Sequence, residues 1–337
     1  LWSPTPLDWT RPWDKATVWH AANGSYYYGL FGGIMPDLNL RNPHVEAEIL
    51  DILRTWLARG VDGFRVDAAR HLFESPDGVL TDQPETFDFV ARLRTALETQ
   101  YPSVLLIAEA WTGHETLAPY DDGRGFHMAF DFELAEAIIK GLNEGNATAF
   151  AAAVASRNTR FRHADFPAPF LTNHDMTRVL RTLGGDERKA RLAAALLLTM
   201  AGSPFVYYGE ELGLVGGAGP GDKDKRTPIR WDDVASRLAD DASLLRLYRR
   251  LIALRPSAPA LMLGRAQVVS APGEPAALLR LARTLEDGTG VTLLANLGAT
   301  PLAVDGRRGA RQPLLADQAT VDSRGVWALA PYGVVLQ

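Results

Sequence analysis

Apolar residues recur at helical spacing in the stretch that Pro43 opens. Val45, Ile49, Ile52, Leu53, Trp56 and Leu57 follow a period near 3.6, and Gly60 supplies the stop. The pattern then switches to a short strand at 62–67. The same alternation continues along the chain. It predicts a helix over 85–100, with Phe87, Val90, Leu93 and Leu97 on one face, a strand over 104–108 and a weaker one over 126–130. Helices over 133–142 and near 147–156 follow, then a strand over 169–173, a helix over 187–200, a strand over 205–208 and a last helix over 244–254. The longest apolar run, Leu192 to Met200, is shorter than the ~18 residues of a membrane span and reads as a buried helix.

Two regions depart from this alternation. Residues 1–42 are rich in Trp, Tyr, Gly and Pro without a clean period, so irregular structure is expected there. After Arg255-Pro256, short β-type runs (267–270, 276–282, 291–296, 301–304 and 333–336) alternate with Gly, Asp and Pro, which predicts a separate all-β module. Three segments result: 1–42, 43–255 and 256–337.

Strand–helix alternation implies a parallel sheet with helical crossovers. Five strands of this type are readable, where a (β/α)8 barrel has eight. An open sheet would gather its ligand at one switch point. Here charged residues end strands all along the sheet: Asp67, Glu109 and Asp175 each close an apolar run. The fold expected is therefore α/β: the C-terminal five βα units of a (β/α)8 TIM barrel, with the first three strands absent from this chain, plus a C-terminal antiparallel β-sandwich.

Composition narrows the function. With 35 basic and 40 acidic residues the net charge is −5, which favours no polyanionic partner such as nucleic acid. The absence of cysteine excludes disulfides, thiolate metal sites and a Cys nucleophile, but leaves the compartment open. The opening Leu1-Trp2-Ser3-Pro4 has no initiator Met, basic region or apolar signal core, so the chain is expected to begin within a longer polypeptide.

Side chains alternate along a strand, so Arg65 and Asp67 share one face and Phe64 and Val66 the other. In a barrel the first pair would sit at the interior mouth, a buried Arg beside a buried Asp, suited to an ionised nucleophile. A structural ion pair would use the same residues. Glu109 ends an apolar run, and poor hydration plus nearby aspartates would push its pKa upward, as a general acid requires; a cap on the following turn would also explain it. A hydrogen-bonded couple would account for His174-Asp175. Together the three sites point to two carboxylates doing acid–base and nucleophilic work on a glycosidic bond, with a third beside them.

Four motifs carry a resemblance: Gly63-Phe64-Arg65-Val66-Asp67-Ala68-Ala69-Arg70-His71, Ala108-Glu109-Ala110-Trp111, Thr172-Asn173-His174-Asp175 and Met35-Pro36-Asp37-Leu38-Asn39, supported by the stretches 204–213 and 226–231. In this order they resemble the α-amylase family, glycoside hydrolase family 13. The resemblance implies Asp67 as nucleophile, Glu109 as acid and base, and Asp175 gripping the 2- and 3-hydroxyls of one distorted sugar on which all three converge. It implies that Arg65 holds Asp67 and that His174 binds the same sugar. His71 and Trp111 would line the leaving-group side. Tyr28 and Phe31 (with Tyr27) would offer stacking faces, and Arg178 and Arg226 would stand at the mouth.

The family's Asp-x-x-x-Asn-His motif of barrel strand three is absent from the sequence. The first three strands are thus expected on a second chain or outside the sequence in hand, and residues 1–337 alone are expected to aggregate or remain inactive. The resemblance further implies a structural Ca2+ held by Asp37 and the backbone carbonyl of His71, although the Met-Pro-Asp-Leu-Asn form lies between calcium-dependent amylases and an oligo-1,6-glucosidase-like branch. No organic cofactor is implied. The substrate implied is an α-1,4-glucan or maltooligosaccharide, with exo-acting α-glucosidase, cyclodextrinase or neopullulanase-like action with transfer as alternatives, and a non-catalytic sugar-binding relative as a further one. An extracellular or periplasmic setting is slightly favoured over the cytoplasm.

Overall fold

The computed structural model describes residues 1–269, 271, 273–305 and 312–337. Contacts divide it into two compact units: Leu1–Trp111 with Pro119–Ala129, and Thr112–Ala118 with Phe130–Gln337. This division cuts across the compositional boundaries near residues 42 and 255.

The first unit opens with structure that the sequence reading left irregular. Strands β1 (Trp2–Ser3), β2 (Trp19–Ala22) and β3 (Ser25–Tyr28) form an antiparallel sheet in the order β1-β3-β2. Asn23 and Gly24, at φ 51° and 76°, make the two-residue turn between β2 and β3, a conformation that Asn-Gly adopts readily. Val18, Trp19, Tyr28, Leu30 and Leu80 bury its face.

Helix α1 (Pro43–Ala58) starts as expected: Pro43 sits in the first turn and the Asn42 side chain accepts the His44 N–H. Gly60, at φ +96°, donates its N–H to the Leu57 carbonyl and ends the helix. Strand β4 (Gly63–Val66) follows, then α2 (Pro84–Glu98) and β5 (Leu105–Ala108). Phe64 turns toward α1 and α2, packing with Leu53, Leu57, Leu97 and Val104. β4 and β5 run parallel in the register Gly63↔Leu105 to Val66↔Ala108. A Cβ on Gly63 would lie 2.3 Å from the Leu105 carbonyl oxygen, so the close approach of the strands requires glycine there. Helix α3 (His114–Leu117) belongs to the second unit, and β6 (Met128–Phe130) then pairs in parallel with β5.

In the second unit, Asp131 caps α4 (Phe132–Glu144) by accepting the Leu134 N–H. Helix α5 (Thr148–Arg160) leads to β7 (Pro167–Ala168), α6 (Val179–Thr182) and α7 (Glu187–Thr199). Every residue of α7 from Ala190 to Thr199 is buried, in agreement with the apolar run. Short helices α8 (Asp222–Lys225) and α9 (Trp231–Ala239) precede α10 (Leu244–Ser257) and α11 (Pro259–Leu263). Thus the helix expected last is followed by another, and α8 and α9 fall where no period was read; four to nine residues offer too few turns for one to show. Among the described residues, no helix is long and apolar enough to cross a membrane.

Two expected strands are corrected. The run 169–173 is not a strand; the ladder ends earlier, at Ala168, which accepts the Asp131 N–H. The run 205–208 is not a strand either. Phe205 donates to the Pro169 carbonyl, but Pro169 and Pro204 bring no N–H groups, so this pair of segments cannot extend into a ladder.

The C-terminal module is one hydrogen-bonded antiparallel sheet rather than the expected sandwich. Strands β8 (Arg265–Val268), β9 (Leu278–Thr284), β10 (Gly290–Asn296), β11 (Leu302–Asp305), β12 (Leu315–Val321) and β13 (Val326–Leu336) take the order β11-β13-β10-β9-β8, with β12 also on β13. The long β13 joins what would be two layers: Val326–Leu329 pairs with β11 and Val334–Leu336 with β10. Both faces are covered, which explains the weak alternation of the sequence. Leu279, Leu281, Leu293 and Ala295 join the helical core, while Leu278, Leu294, Trp327 and Val335 form a second cluster. Of the expected run 267–270, Ser270 lies outside the described residues.

Candidate active site

In the first unit, ladder geometry sets the acidic pair. The β4–β5 register ends at Val66↔Ala108; just beyond it, Glu109 donates its N–H to the Val66 carbonyl, and Ala69 donates to the Glu109 carbonyl. Asp67 and Glu109 are therefore neighbours at the C-terminal ends of adjacent parallel strands. Arg65 reaches both. Its Nη1 lies 2.6 Å from Asp67 Oδ1 and its Nη2 3.9 Å from Glu109 Oε2. Their environments differ: the Glu109 side chain is 11% exposed, that of Asp67 74%. The expected burial of Asp67 is corrected on this point, because its side chain lies one residue past the strand and leaves the ladder.

A residue that sequence reasoning gave no site role completes this cradle. Ala68 stands at φ 45°, a left-handed conformation unusual for a residue with a Cβ, and its N–H donates to Glu109 Oε2 at 2.8 Å. No side-chain signal could have revealed it. Behind it, Arg70 grips Asp82 with two nitrogens, the Tyr120 hydroxyl also donates to Asp82, and Arg70 Nη1 donates to the Trp111 carbonyl at 3.1 Å. The Trp111 side chain stays about half exposed.

His71 Nδ1–H donates to the Leu80 carbonyl at 2.8 Å. Its ring meets the edges of Trp13 and Phe31, which stack on each other at 5.5 Å. Burial pushes its pKa down. Phe31 is exposed. Tyr28 is not: at 2% exposure it packs against Trp9 and Trp19, so its expected role as a sugar platform is corrected to a core role. Asp37 is half-buried, its Oδ2 accepts the Leu30 N–H at 2.7 Å, and desolvation raises its pKa. Calcium takes six to eight oxygen ligands. Among the described residues no group of three or more His, Asp or Glu is gathered to hold a metal, and one Asp37 oxygen is already engaged.

In the second unit, Asp175 lies on a loop seven residues beyond β7. Asn173 accepts its N–H at 2.9 Å. Arg226 Nη2 lies 2.9 Å from Asp175 Oδ1, Arg226 Nε donates to the His174 carbonyl, and His174 Nε2 lies 3.2 Å from Asp175 Oδ2. All three side chains are about 40% exposed. Arg178 does not join them. It is 1% exposed, lies over the rings of Tyr207 and Tyr208, and donates to the Tyr208 and Thr227 carbonyls. The expected place at the mouth is corrected to a framework role, since the side chain is buried and both Nη groups donate to backbone carbonyls.

Residues 2–264 match the family model described as "Alpha amylase, catalytic domain". The chain belongs to the α-amylase family. It therefore has that family's TIM-barrel catalytic fold, followed here by the antiparallel sheet. Among curated relatives, Alpha-amylase 3 of Dictyoglomus thermophilum is 33% identical over 67% of this chain and 44% of its own length. A trehalose synthase of Thermus thermophilus is 30% identical over 93% of this chain and 40% of its own length. The chain thus spans less than half of these two relatives of the α-amylase family. The crystal structure of an alpha-amylase from H.orenii superposes with a TM-score of 0.83 at 30% identity, covering 99% of this chain and 72% of that one.

Proposed function

We propose that this chain carries the acid–base and nucleophile pair of a retaining glycosidase acting on α-1,4-linked glucans. One observation carries the reading: Asp67 and Glu109 end adjacent, in-register parallel strands and share one guanidinium, with unequal exposure. Adjacent strands lie about 4.8 Å apart. That spacing favours the retaining arrangement, with carboxyls about 5–5.5 Å apart, over the inverting one at roughly 6.5–9.5 Å.

In this scheme an Asp67 oxygen attacks the anomeric carbon as the glycosidic C–O bond breaks, and Glu109 delivers its proton to the departing oxygen. A water then gives a proton back to Glu109 and its oxygen to the anomeric carbon, releasing Asp67. Arg65 and the Ala68 N–H orient the two carboxyls. Asp175 and His174 are proposed to hold sugar hydroxyls, with Arg226 orienting Asp175. Trp111 and His71, with Phe31 beside it, are proposed for the leaving-group side. No step is routed through a metal.

A second reading, transfer to a sugar acceptor instead of water, is favoured by the match to a trehalose synthase over 93% of the chain. Incubation with maltoheptaose separates the readings: short maltooligosaccharides indicate endo hydrolysis, glucose alone exo action, and longer or rearranged products transfer. Glu109→Gln should lower turnover roughly 10²–10⁴-fold. Wild-type turnover in that variant would remove the mechanism.

A further inference from the structure

Behind the Asp175 loop lies a buried acid that the proposed mechanism does not use. Glu210 is 2% exposed, in the turn after Tyr207-Tyr208-Gly209. Its Oε1 accepts a hydrogen bond from the hydroxyl of Thr172, itself 2% exposed. Its Oε2 is buried without a hydrogen-bond partner among the described residues. Thr172 opens the run Thr172-Asn173-His174-Asp175, whose turn is closed by Asn173 accepting the Asp175 N–H. We propose that Glu210 is a positioning residue: through Thr172 it anchors the loop that presents His174 and Asp175. The inference rests on the reading that Asp175 acts on the sugar.

A buried carboxylate with one oxygen unpaired is costly, whereas the neutral acid is far less so. Burial raises the Glu210 pKa to about 8, Thr172 and the Tyr207 backbone pull it down, Glu211 pushes it up and Arg178 pulls it down. Tyr248, from α10, is the other titratable group facing it. Glu210 is therefore a neutral acid through the neutral range and becomes a buried anion above about pH 8. The Thr172 hydrogen bond favours that anion and persists, while the desolvated charge, with its unpartnered Oε2, strains the segment that holds the Asp175 loop.

The test uses kcat/KM for α-maltosyl fluoride against pH. Fluoride departs without general-acid help, so an alkaline limb from Glu109 is absent from this profile. Wild type is expected to lose activity above about pH 8. Glu210→Ala should lower kcat/KM at least 10-fold, mainly through kcat. Glu210→Gln keeps an acceptor for Thr172 and cannot ionise, so it should recover most of that loss and hold its activity beyond pH 8. Coincident pH profiles for wild type and Glu210→Gln, or a Glu210→Ala enzyme as active as wild type, would overturn the proposal. Should Glu210→Ala fail to fold, the Glu210→Gln profile alone decides. The functional reading fails separately: if Asp175→Asn leaves turnover unchanged, Asp175 does not act on the sugar, whatever the Glu210 variants do.

Discussion

Glu109 and Asp175 each follow an apolar run, yet the two are held by opposite means. Glu109 inherits its position from the end of a backbone ladder: its N–H and carbonyl bond to Val66 and Ala69, and Asp67 directly follows the neighbouring strand. Asp175 lies well past the end of β7 and depends on side chains, namely Asn173, His174, Arg226 and the Thr172–Glu210 bond. A ladder orients its residues without ordering additional side chains, whereas each side-chain tether costs rotamer entropy. The lesson is that the ladder makes the Asp67–Glu109 geometry robust, while the Asp175 geometry can be altered one tether at a time.

The largest effect expected is at the ladder-held pair. Asp67→Asn should reduce turnover of maltosyl fluoride on the order of 10⁴-fold, the scale of removing a nucleophile that works as part of a unit; a loss under 10-fold would move the nucleophile elsewhere. Next comes a purely structural test of the second unit. Asp131 is fully buried between His114 Nε2, at 2.7 Å, and Arg157. Asp131→Ala should cost about 3–5 kcal/mol, because Arg157 is left as an uncompensated buried charge. Burial alone would raise the Asp131 pKa, but Arg157 and His114 outweigh it and the net shift is downward. Its contribution is therefore full above the ordinary carboxylate value of 3.8 and is lost as pH falls through the lower folded value. In urea titrations the gap between wild type and Asp131→Asn should narrow below that range; a constant gap would contradict the sign.

The tethers themselves give a sharper comparison. Arg65 touches both strand-end carboxyls, whereas Arg226 shares Asp175 with His174. Charge-assisted bonds are worth about 1.5–3 kcal/mol, so Arg65→Gln should lower kcat roughly 100-fold and Arg226→Gln roughly 10-fold. The reverse order would show that the loop, not the ladder, limits the chemistry. The smallest effect belongs to the surface. Arg92 bridges α2 to Glu46 of α1 at 2.8 Å, with the Arg side chain more than half exposed. Arg92→Ala should shift stability by only about 0.2–1 kcal/mol in the same urea titration.

Reading the chain as a sequence was most successful where local chemistry and tertiary packing agree. Pro43 and Gly60 delimit α1, and the Leu192–Met200 run is buried. It missed a legible signal at Asn23-Gly24, the hairpin turn inside a segment judged irregular. Other errors had no local signal. Tyr28 and Arg178 could face a sugar or the core with equal propriety in the sequence, and packing put both inside. Asp67 was expected to be buried because it ends an apolar strand, but the strand stops one residue before it.

The order of the motifs and the strand–helix period determined, without coordinates, the α-amylase membership, the parallel pairing around Asp67 and Glu109, and the β-rich C-terminal module. Periodicity and turn chemistry act over a few residues, so they survive in a linear code. Tertiary structure alone decided which acids are hydrated, where the ladders end, and that Ala68 and Glu210 brace the acidic loops. Those outcomes depend on desolvation and on partners tens of residues apart, such as Thr172 and Glu210, whose meeting no local pattern records.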